Sequence, residues 1–500
     1  MKKKPLSTGS EWTFELIADY DREIGRLAKD FQLDTYPNQI EMISAEQMID
    51  AYASVGMPIN YTHWSFGKHF VSVEKNYQRG HMGLAYELVI NSNPCVSYLM
   101  EENSMAMQAL VIAHACYGHN SFFKSNYLFK MWTSADAIID YLVFAKHYIN
   151  ECEERYGIAA VEEILDACHA LMNYGVDRYQ HPTPLSLQEE KIRQKNREAY
   201  LEAEVNELWR TIPKDKHKTD VNPKKKFPVE PQENILYFIE KHAPLLQPWQ
   251  REIVRIVRKI AQYFYPQKQT KVMNEGWACF WHYTLLHALY DEHLVTDEFM
   301  LEVLQTHTSV ILQPGYNSPY FSGINPYTLG YHMMQDIRRI AETPSAEDQH
   351  WFPELVHTNW LQSLDSAMRH YKDESFIAQF LSPKVMRDLK LFQMIDDANH
   401  PQLQIGAIHD DNGYQRVREV LSNQYNISQM EPDIQVFGVD LEGSRGLTLH
   451  HTQYNNMPLH LNTTHEVLKH LYTLWGFPVT LRSIASDSQT AVEFHCPPRA

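Results

Sequence analysis

Two histidines lie five residues apart at the end of an apolar run. The segment HACYGHN covers residues 114–120 and follows the largely apolar residues 105–113. In a regular α-helix, side chains five residues apart project about 140° from one another, whereas a spacing of four leaves about 40°. Both rings reach one metal ion only if the helix contains a π-bulge or ends near Gly118. The pattern is compatible with metal ligation and with buried core histidines that have hydrogen-bond partners.

A second segment with chemical potential, MNEGWACFWHY, covers residues 273–283. We expect Asn274 to be the N-cap of a helix, so that Glu275 falls in the first turn and shares one face with Cys279 and His282. Seven residues rise roughly 10 Å along a helix. We therefore expect that only one of Glu275 and His282 binds an ion directly, while the other orients a ligand or a substrate.

The pattern Asn-Glu-Gly-aromatic-Ala at residues 274–278 resembles the second motif of the aminopeptidase-N-like gluzincins. In those enzymes the glutamate is the third zinc ligand, and two histidines of an HExxH motif supply the others. HExxH is absent here, and Ala115 stands where its catalytic glutamate would be. The resemblance implies a site in which His114, His119 and Glu275 bind zinc or another divalent metal.

Several other polar residues stand in hydrophobic or aromatic surroundings. They are His63, Glu87, Asp177, Asn325 and Asp336. Each is typical of a buried structural polar group, but together they indicate a polar cleft inside a helical domain. A cysteine nucleophile is disfavoured, because free cysteine in an apolar helix is usually a small core residue. The sequence lacks a P-loop, a GxSxG elbow and a GxGxxG fingerprint.

Composition excludes several broad classes. The 500 residues carry a net charge of −17, which argues against general binding to nucleic acid or to an anionic membrane. Six cysteines without a CxxC pair do not indicate a disulfide framework. The sequence shows no signal peptide and no apolar run long enough to cross a membrane, so we expect no membrane insertion and a cytoplasmic location.

Hydrophobic periodicity predicts a mainly α-helical chain. Helices are predicted over residues 11–33, 103–119, 135–156, 158–173, 188–208, 251–264, 274–294 and 327–341. Lysines and prolines dominate residues 213–228, which we interpret as a solvated connector. A nucleic-acid patch is the alternative for this run, but it lacks the interleaved aromatic residues that stack on bases.

The pattern changes after about residue 385. Strands are predicted over residues 434–439, 447–450, 478–484 and 491–495. A capping box at Thr463 and Glu466 predicts a helix that Gly476 ends. We therefore predict a large helical domain followed by a small α+β C-terminal domain. Its expected parts are a first helical part over residues 1–212, a connector over 213–232, a second helical part over 233–385 and the C-terminal domain over 386–500.

Five longer segments together resemble the SpoVR family, the stage V sporulation protein R-like proteins, in particular the enterobacterial-type members from bacteria that form no spores. They are YELVINSNP (86–94), HWSFGKHF (63–70), HACYGHNSFFKSNYLF (114–129), MNEGWACFWHY (273–283) and FLSPKVMRDL (380–389). The resemblance extends from about residue 11 to residue 497. The matching positions in the two histidine-bearing segments are His114, Gly118, His119, Phe122, Phe123, Asn274, Glu275, Gly276, Trp277, Trp281 and His282.

The resemblance implies a biological setting rather than a reaction. In spore formers the family is linked to assembly of the spore cortex, which is a peptidoglycan layer. In other bacteria its genes accompany a PrkA-like serine kinase and a von Willebrand-like protein, in stationary-phase or starvation settings. These two proteins are the partners that the resemblance implies.

Two hypotheses of different class follow. In the first, the chain is a metal-dependent hydrolase acting on a peptide or a cell-wall precursor, with His114, His119 and Glu275 as ligands. Glu87 or His282 would then act as general base or would support a ligand. In the second, the chain is a non-catalytic regulatory or scaffold protein that works with the kinase system, and its polar core serves fold specificity only.

Overall fold

The computed structural model describes most of the chain and shows that it is mainly helical. It describes residues 4–53, 60–66, 68, 87–178, 192, 227–228, 230–316, 318–392, 394–395, 404–405, 409–454, 457–485 and 491–497. The predicted helix over residues 188–208 and most of the predicted connector over 213–232 lie outside these residues. None of the helices within the described segments is long and apolar enough to cross a membrane.

The α-helices of the first half of the chain flank a π-helix, Ile112–His119. They are α1 Phe14–Asp30, α2 Ala45–Ala53, α3 Met105–Val111, α4 Asn120–Ser125, α5 Tyr127–Trp132, α6 Ile138–Tyr156, α7 Ile158–Ala170 and α8 Ile235–His242. A short 3-10 helix, Met172–Tyr174, follows α7.

The helices of the second half include the long helix that carries Glu275. They are α9 Pro248–Gln269, α10 Lys271–Asp291, α11 Asp297–Val310, α12 Pro326–Glu342, α13 Ala346–Trp351, α14 Trp360–His370, α15 Asp373–Phe380, α16 Pro383–Asp388, α17 Asp411–Gln424, α18 Ile427–Met430 and α19 Leu461–Trp475.

The strands of the described residues form three small sheets. They are β1 Asn38–Ile43, β2 Glu87–Ile90, β3 Cys95–Met100, β4 Met394–Ile395, β5 Gln404–Ile405, β6 Asp433–Val439, β7 Leu447–Thr452, β8 Val479–Ile484 and β9 Ala491–Cys496. The first sheet has the order β1-β3-β2, with β3 parallel to β1 and antiparallel to β2. The last has the order β6-β7-β8-β9, and α19 packs on β8 and β9. The predicted fold class, a large helical part with a small α+β C-terminal part, is confirmed.

The chain divides into two compact units. The first is formed by the segments Met1–Leu165 and Ile260–Glu431, and the second by Asp166–Lys259 and Pro432–Ala500. The first unit has a large hydrophobic core, to which the π-helix, α10 and α12 all contribute, and a small separate cluster around Met48, Ile49 and Met100. The second unit contains α8, β6–β9 and α19. The boundaries expected at residues 212, 232 and 385 stay predictions.

Two predicted helix starts are wrong, for different reasons. Helix α10 begins at Lys271, three residues before Asn274, because the buried carboxylate of Asp373 accepts the N–H groups of Val272 and Met273, both at 2.9 Å. This carboxylate satisfies backbone donors that the start of a helix leaves unpaired.

Helix α19 begins at Leu461 rather than after Thr463, because the side chain of His460 caps it. Its predicted end at Gly476 is confirmed: this glycine has φ 82°, the left-handed conformation that glycine adopts most readily.

Helix α10 lies unusually close to two neighbours. A Cβ atom built on Gly118 of the π-helix would lie 2.6 Å from the Cα of Ala278 on α10. A Cβ atom on Gly330 of α12 would lie 2.7 Å from the Cα of Gly276 on α10, and closer still to the carbonyl oxygen of Val272. Only glycine permits such approaches, because any side chain there meets backbone that cannot rotate away. The two contacts fix α10 against the π-helix on one side and α12 on the other.

We expect Gly330→Ala to lower the free energy of unfolding by about 1–3 kcal/mol or more, because the new methyl group overfills the contact between α10 and α12. Urea unfolding followed by tryptophan fluorescence measures this change. Gly315→Ala is the matched control, since Gly315 is exposed and has no atom within 4 Å of a built Cβ. Equal stability of the two variants would contradict the close approach.

Candidate metal centre

The π-helix brings the two histidines of the 114–120 segment together. Ser104 caps α3, which continues without a break into the π-helix and then into α4. The wider turn compensates for the spacing of five residues that would separate the rings on an α-helix. The ring centroids of His114 and His119 are 4.7 Å apart, and both side chains are buried. The backbone therefore has the π-type turn that a spacing of five residues requires if both histidines are to bind one metal ion.

Two carboxylates complete this arrangement. Glu275 on α10 places Oε2 3.7 Å from Nε2 of His114 and 3.5 Å from Nε2 of His119. Glu87, the first residue of β2, places Oε1 3.3 Å from the same His114 nitrogen. One potential ligand atom from each of Glu87, His114 and His119 lies within 4.8 Å of the others. We call Glu87, His114, His119 and Glu275 the four-residue cluster.

Burial differs between the two kinds of side chain in the cluster. The side chains of His114 and His119 are 5% and 8% exposed, whereas those of Glu87 and Glu275 are 18% and 19% exposed. The two carboxylates are therefore the more exposed members of the cluster. The phenol of Tyr327, at the start of α12, helps to lower the pKa of Glu275. Tyr327 belongs to the segment Asn325-Pro326-Tyr327, in which no local pattern indicates an interaction with Glu275.

The far side of His114 is held by further histidines. Nδ1 of His114 lies 2.9 Å from Nδ1 of His282, and Nε2 of His282 lies 2.7 Å from Nδ1 of His307 on α11. On the neighbouring ring, Nδ1 of His119 lies 2.9 Å from Oδ1 of Asn274. Asn274, expected to cap a helix, thus contacts a cluster histidine instead. No local pattern in the sequence points to His307, which is the only histidine of α11.

The charges in the cluster are strongly coupled. Burial alone lowers the pKa of His114, but Glu87, Cys279 and Glu275 raise it well above the usual histidine value. Burial lowers the pKa of His119 to about 4. Burial would raise the pKa of Glu275, yet His119, His114 and Tyr327 together lower it. The cluster therefore favours positive charge near Nε2 of His114, in the position between the carboxylates where a cation would lie.

Glu87 and His282 have opposite environments. Burial raises the pKa of Glu87, and the nearby Glu275 charge raises it further against the effect of His114. Burial, together with His114 and His307, lowers the pKa of His282 well below the usual value, so His282 is neutral. Glu87 lies on the same side of His114 as Glu275, whereas His282 lies on the opposite side.

Cys279 offers a second arrangement around His114, with His282 as the third member. Two nitrogen ligands of one tetrahedral zinc lie about 3.3 Å apart, because each zinc–nitrogen bond is about 2.0–2.1 Å. The 2.9 Å between the Nδ1 atoms of His114 and His282 is instead an ordinary hydrogen-bond distance. Burial also raises the pKa of the Cys279 thiol, which disfavours the thiolate form that binds metals.

The remaining residues of the predicted cleft have contacts elsewhere. Asp336 binds Arg339 at 2.7 Å, and Asn325 caps α12. Asp177 accepts a hydrogen bond from Asn234, and His63 contacts Ser65. These contacts are typical of structural polar groups, as the sequence predicts for each of these residues when it is considered alone.

The donor set of the four-residue cluster suits a divalent metal. Imidazole nitrogen with carboxylate oxygen is a common set for zinc and for non-haem iron, and carboxylates also suit manganese. His114 and His119 each have their second nitrogen occupied by a hydrogen-bond partner, as metal-binding histidines usually do. The residues present therefore fit a bound metal.

Comparison with known proteins establishes the family. Residues 11–430 match the family model described as SpoVR like protein, and residues 432–486 match the SpoVR-like C-terminal domain. The chain is also 61% identical over 494 residues to the Escherichia coli (strain K12) protein named "Uncharacterized protein YcgB", covering 99% of this chain and 97% of the relative. No solved structure matches the chain significantly. The chain belongs to the SpoVR family.

We predict that metal content distinguishes the two arrangements around His114. Protein purified without a histidine tag should hold about one metal ion, which His114→Ala and Glu275→Ala should lose, because both remove a ligand. Cys279→Ala should retain it, because the thiol is not in the four-residue cluster. Elemental analysis by inductively coupled plasma mass spectrometry measures the content. Loss of metal in Cys279→Ala with retention in Glu275→Ala would show that the cysteine arrangement is the site.

Proposed function

We propose that the chain is a metal-dependent hydrolase in which His114, His119 and Glu275 bind a divalent ion. The observation that carries the proposal is the position of one Glu275 carboxylate oxygen, which lies 3.7 Å from Nε2 of His114 and 3.5 Å from Nε2 of His119. A bound zinc ion would lower the pKa of a coordinated water towards neutrality and so supply a nucleophile. The local likeness to the gluzincin glutamate motif supports the same assignment.

Glu87 supplies the general base in this proposal. A zincin takes its base from the residue after the first histidine, and Ala115 cannot serve. Glu87 reaches the same region from β2, with its carboxylate 3.3 Å from Nε2 of His114. A raised carboxylate pKa suits a base that accepts a proton from water near neutral pH. His282, on the opposite side of His114, supports that ligand rather than meeting the substrate.

The substrate class in this proposal is a peptide or a peptidoglycan fragment. Its support is the family link to the spore cortex, together with the amide-hydrolysing chemistry of gluzincin-like sites. Either substrate presents a carbonyl that a divalent ion can polarise. The kinase and the von Willebrand-like protein would then control when this activity is available, in stationary phase or starvation.

The test is hydrolysis by the metal-loaded protein of peptidoglycan fragments and of a mixed peptide library, with new termini detected by mass spectrometry. We expect Glu87→Gln to keep the metal but lower the rate by about 10²–10⁴-fold, because it removes proton transfer and leaves the ligands in place. Glu46→Gln is the matched control, since Glu46 is exposed on α2.

A native protein that holds metal yet cleaves neither substrate class, or a Glu87→Gln variant with native activity, would contradict this mechanism. A metal-free native protein whose folding is unchanged by His114→Ala would instead favour the non-catalytic alternative. In that case the chain acts as a regulator or scaffold with the PrkA-like kinase system.

A further inference from the structure

Three buried histidines form a series that begins at His114 of the four-residue cluster and leads away from it. His114 contacts His282 through their Nδ1 atoms at 2.9 Å, and Nε2 of His282 contacts Nδ1 of His307 at 2.7 Å. The series connects three elements, since His114 lies on the π-helix, His282 on α10 and His307 on α11. All three residues are buried, with relative residue exposures of 4%, 1% and 4%.

The chemistry of imidazole restricts how such a series can be arranged. A neutral imidazole has one N–H donor and one acceptor nitrogen, so each contact needs a donor on one side and an acceptor on the other. If Nε2 of His114 binds a metal through its lone pair, the proton of that ring is on Nδ1, which then donates to His282. Nδ1 of His282 is consequently an acceptor, and its proton is on Nε2, which donates to His307.

We propose that His307 is a positioning residue of the metal centre: its Nδ1 accepts the Nε2–H of His282 and thereby holds His282 and His114 in the tautomers that leave Nε2 of His114 free for the metal. This inference rests on the metal-binding cluster of the proposed function. Partners of this kind fix the orientation of a metal-binding histidine and raise its basicity.

The surroundings of His307 suit a fixed acceptor. Its ring lies edge-on to Tyr331, with centroids 4.7 Å apart, and is tilted against Tyr283 at 4.9 Å. These aromatic contacts, together with burial, hold the ring in one orientation. Helix α11, which carries His307, begins at a Thr296 cap whose side chain accepts the N–H of Phe299. His307 contacts no proposed ligand of the metal, yet through His282 it sets the orientation of the ligand His114.

Two substitutions separate this role from simple packing. Asn places an amide oxygen near the position of Nδ1 and can accept the hydrogen bond, whereas Leu fills a similar space without any acceptor. We expect His307→Leu to weaken Zn²⁺ affinity by about 10–100-fold, and His307→Asn to restore affinity to within a few-fold of native. Zn²⁺ affinity is measured by competition with a chromophoric chelator, and the visible absorption of the Co²⁺-loaded protein reports ligand geometry. We expect the Co²⁺ spectrum to change in His307→Leu and to return in His307→Asn.

Urea unfolding of the metal-free variants provides the control for stability. Native affinity and a native Co²⁺ spectrum in His307→Leu would overturn the positioning role while leaving the metal centre intact. Equal losses of affinity in both variants, in proportion to lost stability, would also overturn it, because packing alone would then explain them. If native protein and His114→Ala bind Zn²⁺ equally, the proposed function fails, and the role of His307 fails with it.

Discussion

The close approach of α10 to the π-helix and to α12 is the constraint on which the site depends. Gly118 meets Ala278 on one side of α10, and Gly276 meets Gly330 on the other. A larger side chain at either contact would push the helices apart by more than the few tenths of an ångström that a hydrogen bond or a metal bond tolerates. The cluster histidines and Glu275 are therefore positioned by backbone contacts of residues that have no chemistry of their own.

The four-residue cluster brings together ionisable side chains that are costly to bury next to one another. Two carboxylates and two imidazoles lie within a few ångströms of one another. Burying the two carboxylate charges costs free energy, and positive charge near His114 offsets that cost. Further hydrogen-bond partners surround the cluster: Asn274 contacts His119, and His282 contacts His114. Such shells of hydrogen bonds are typical of metal centres, in which the partners of the ligands determine their orientation.

The sequence predicts the elements better than it predicts how they meet. Helical periodicity is sufficient for α1, α6, α7, α9 and α12, and strand alternation for the C-terminal sheet, because both patterns are local. Neither pattern predicted α11 or α17. The start of α10 was not predictable, since Asp373, which caps it, lies 100 residues beyond Met273.

Similarly, the spacing of His114 and His119 requires either a π-bulge or a helix end near Gly118, and the sequence does not distinguish the two. The widened turn depends on packing against α10 and α1, which no local pattern records. His307 and Tyr327 have no local signal, because their roles exist only once α11 and α12 reach the cluster.

The most direct measurement of the central claim is the anomalous difference density of a metal-loaded crystal, collected on both sides of the absorption edge of the metal. We predict one peak at bonding distance, about 2.0–2.2 Å, from Nε2 of His114, Nε2 of His119 and a carboxylate oxygen of Glu275. A peak bound to Sγ of Cys279 and Nδ1 of His282, or a metal bound only elsewhere on the chain, would contradict it.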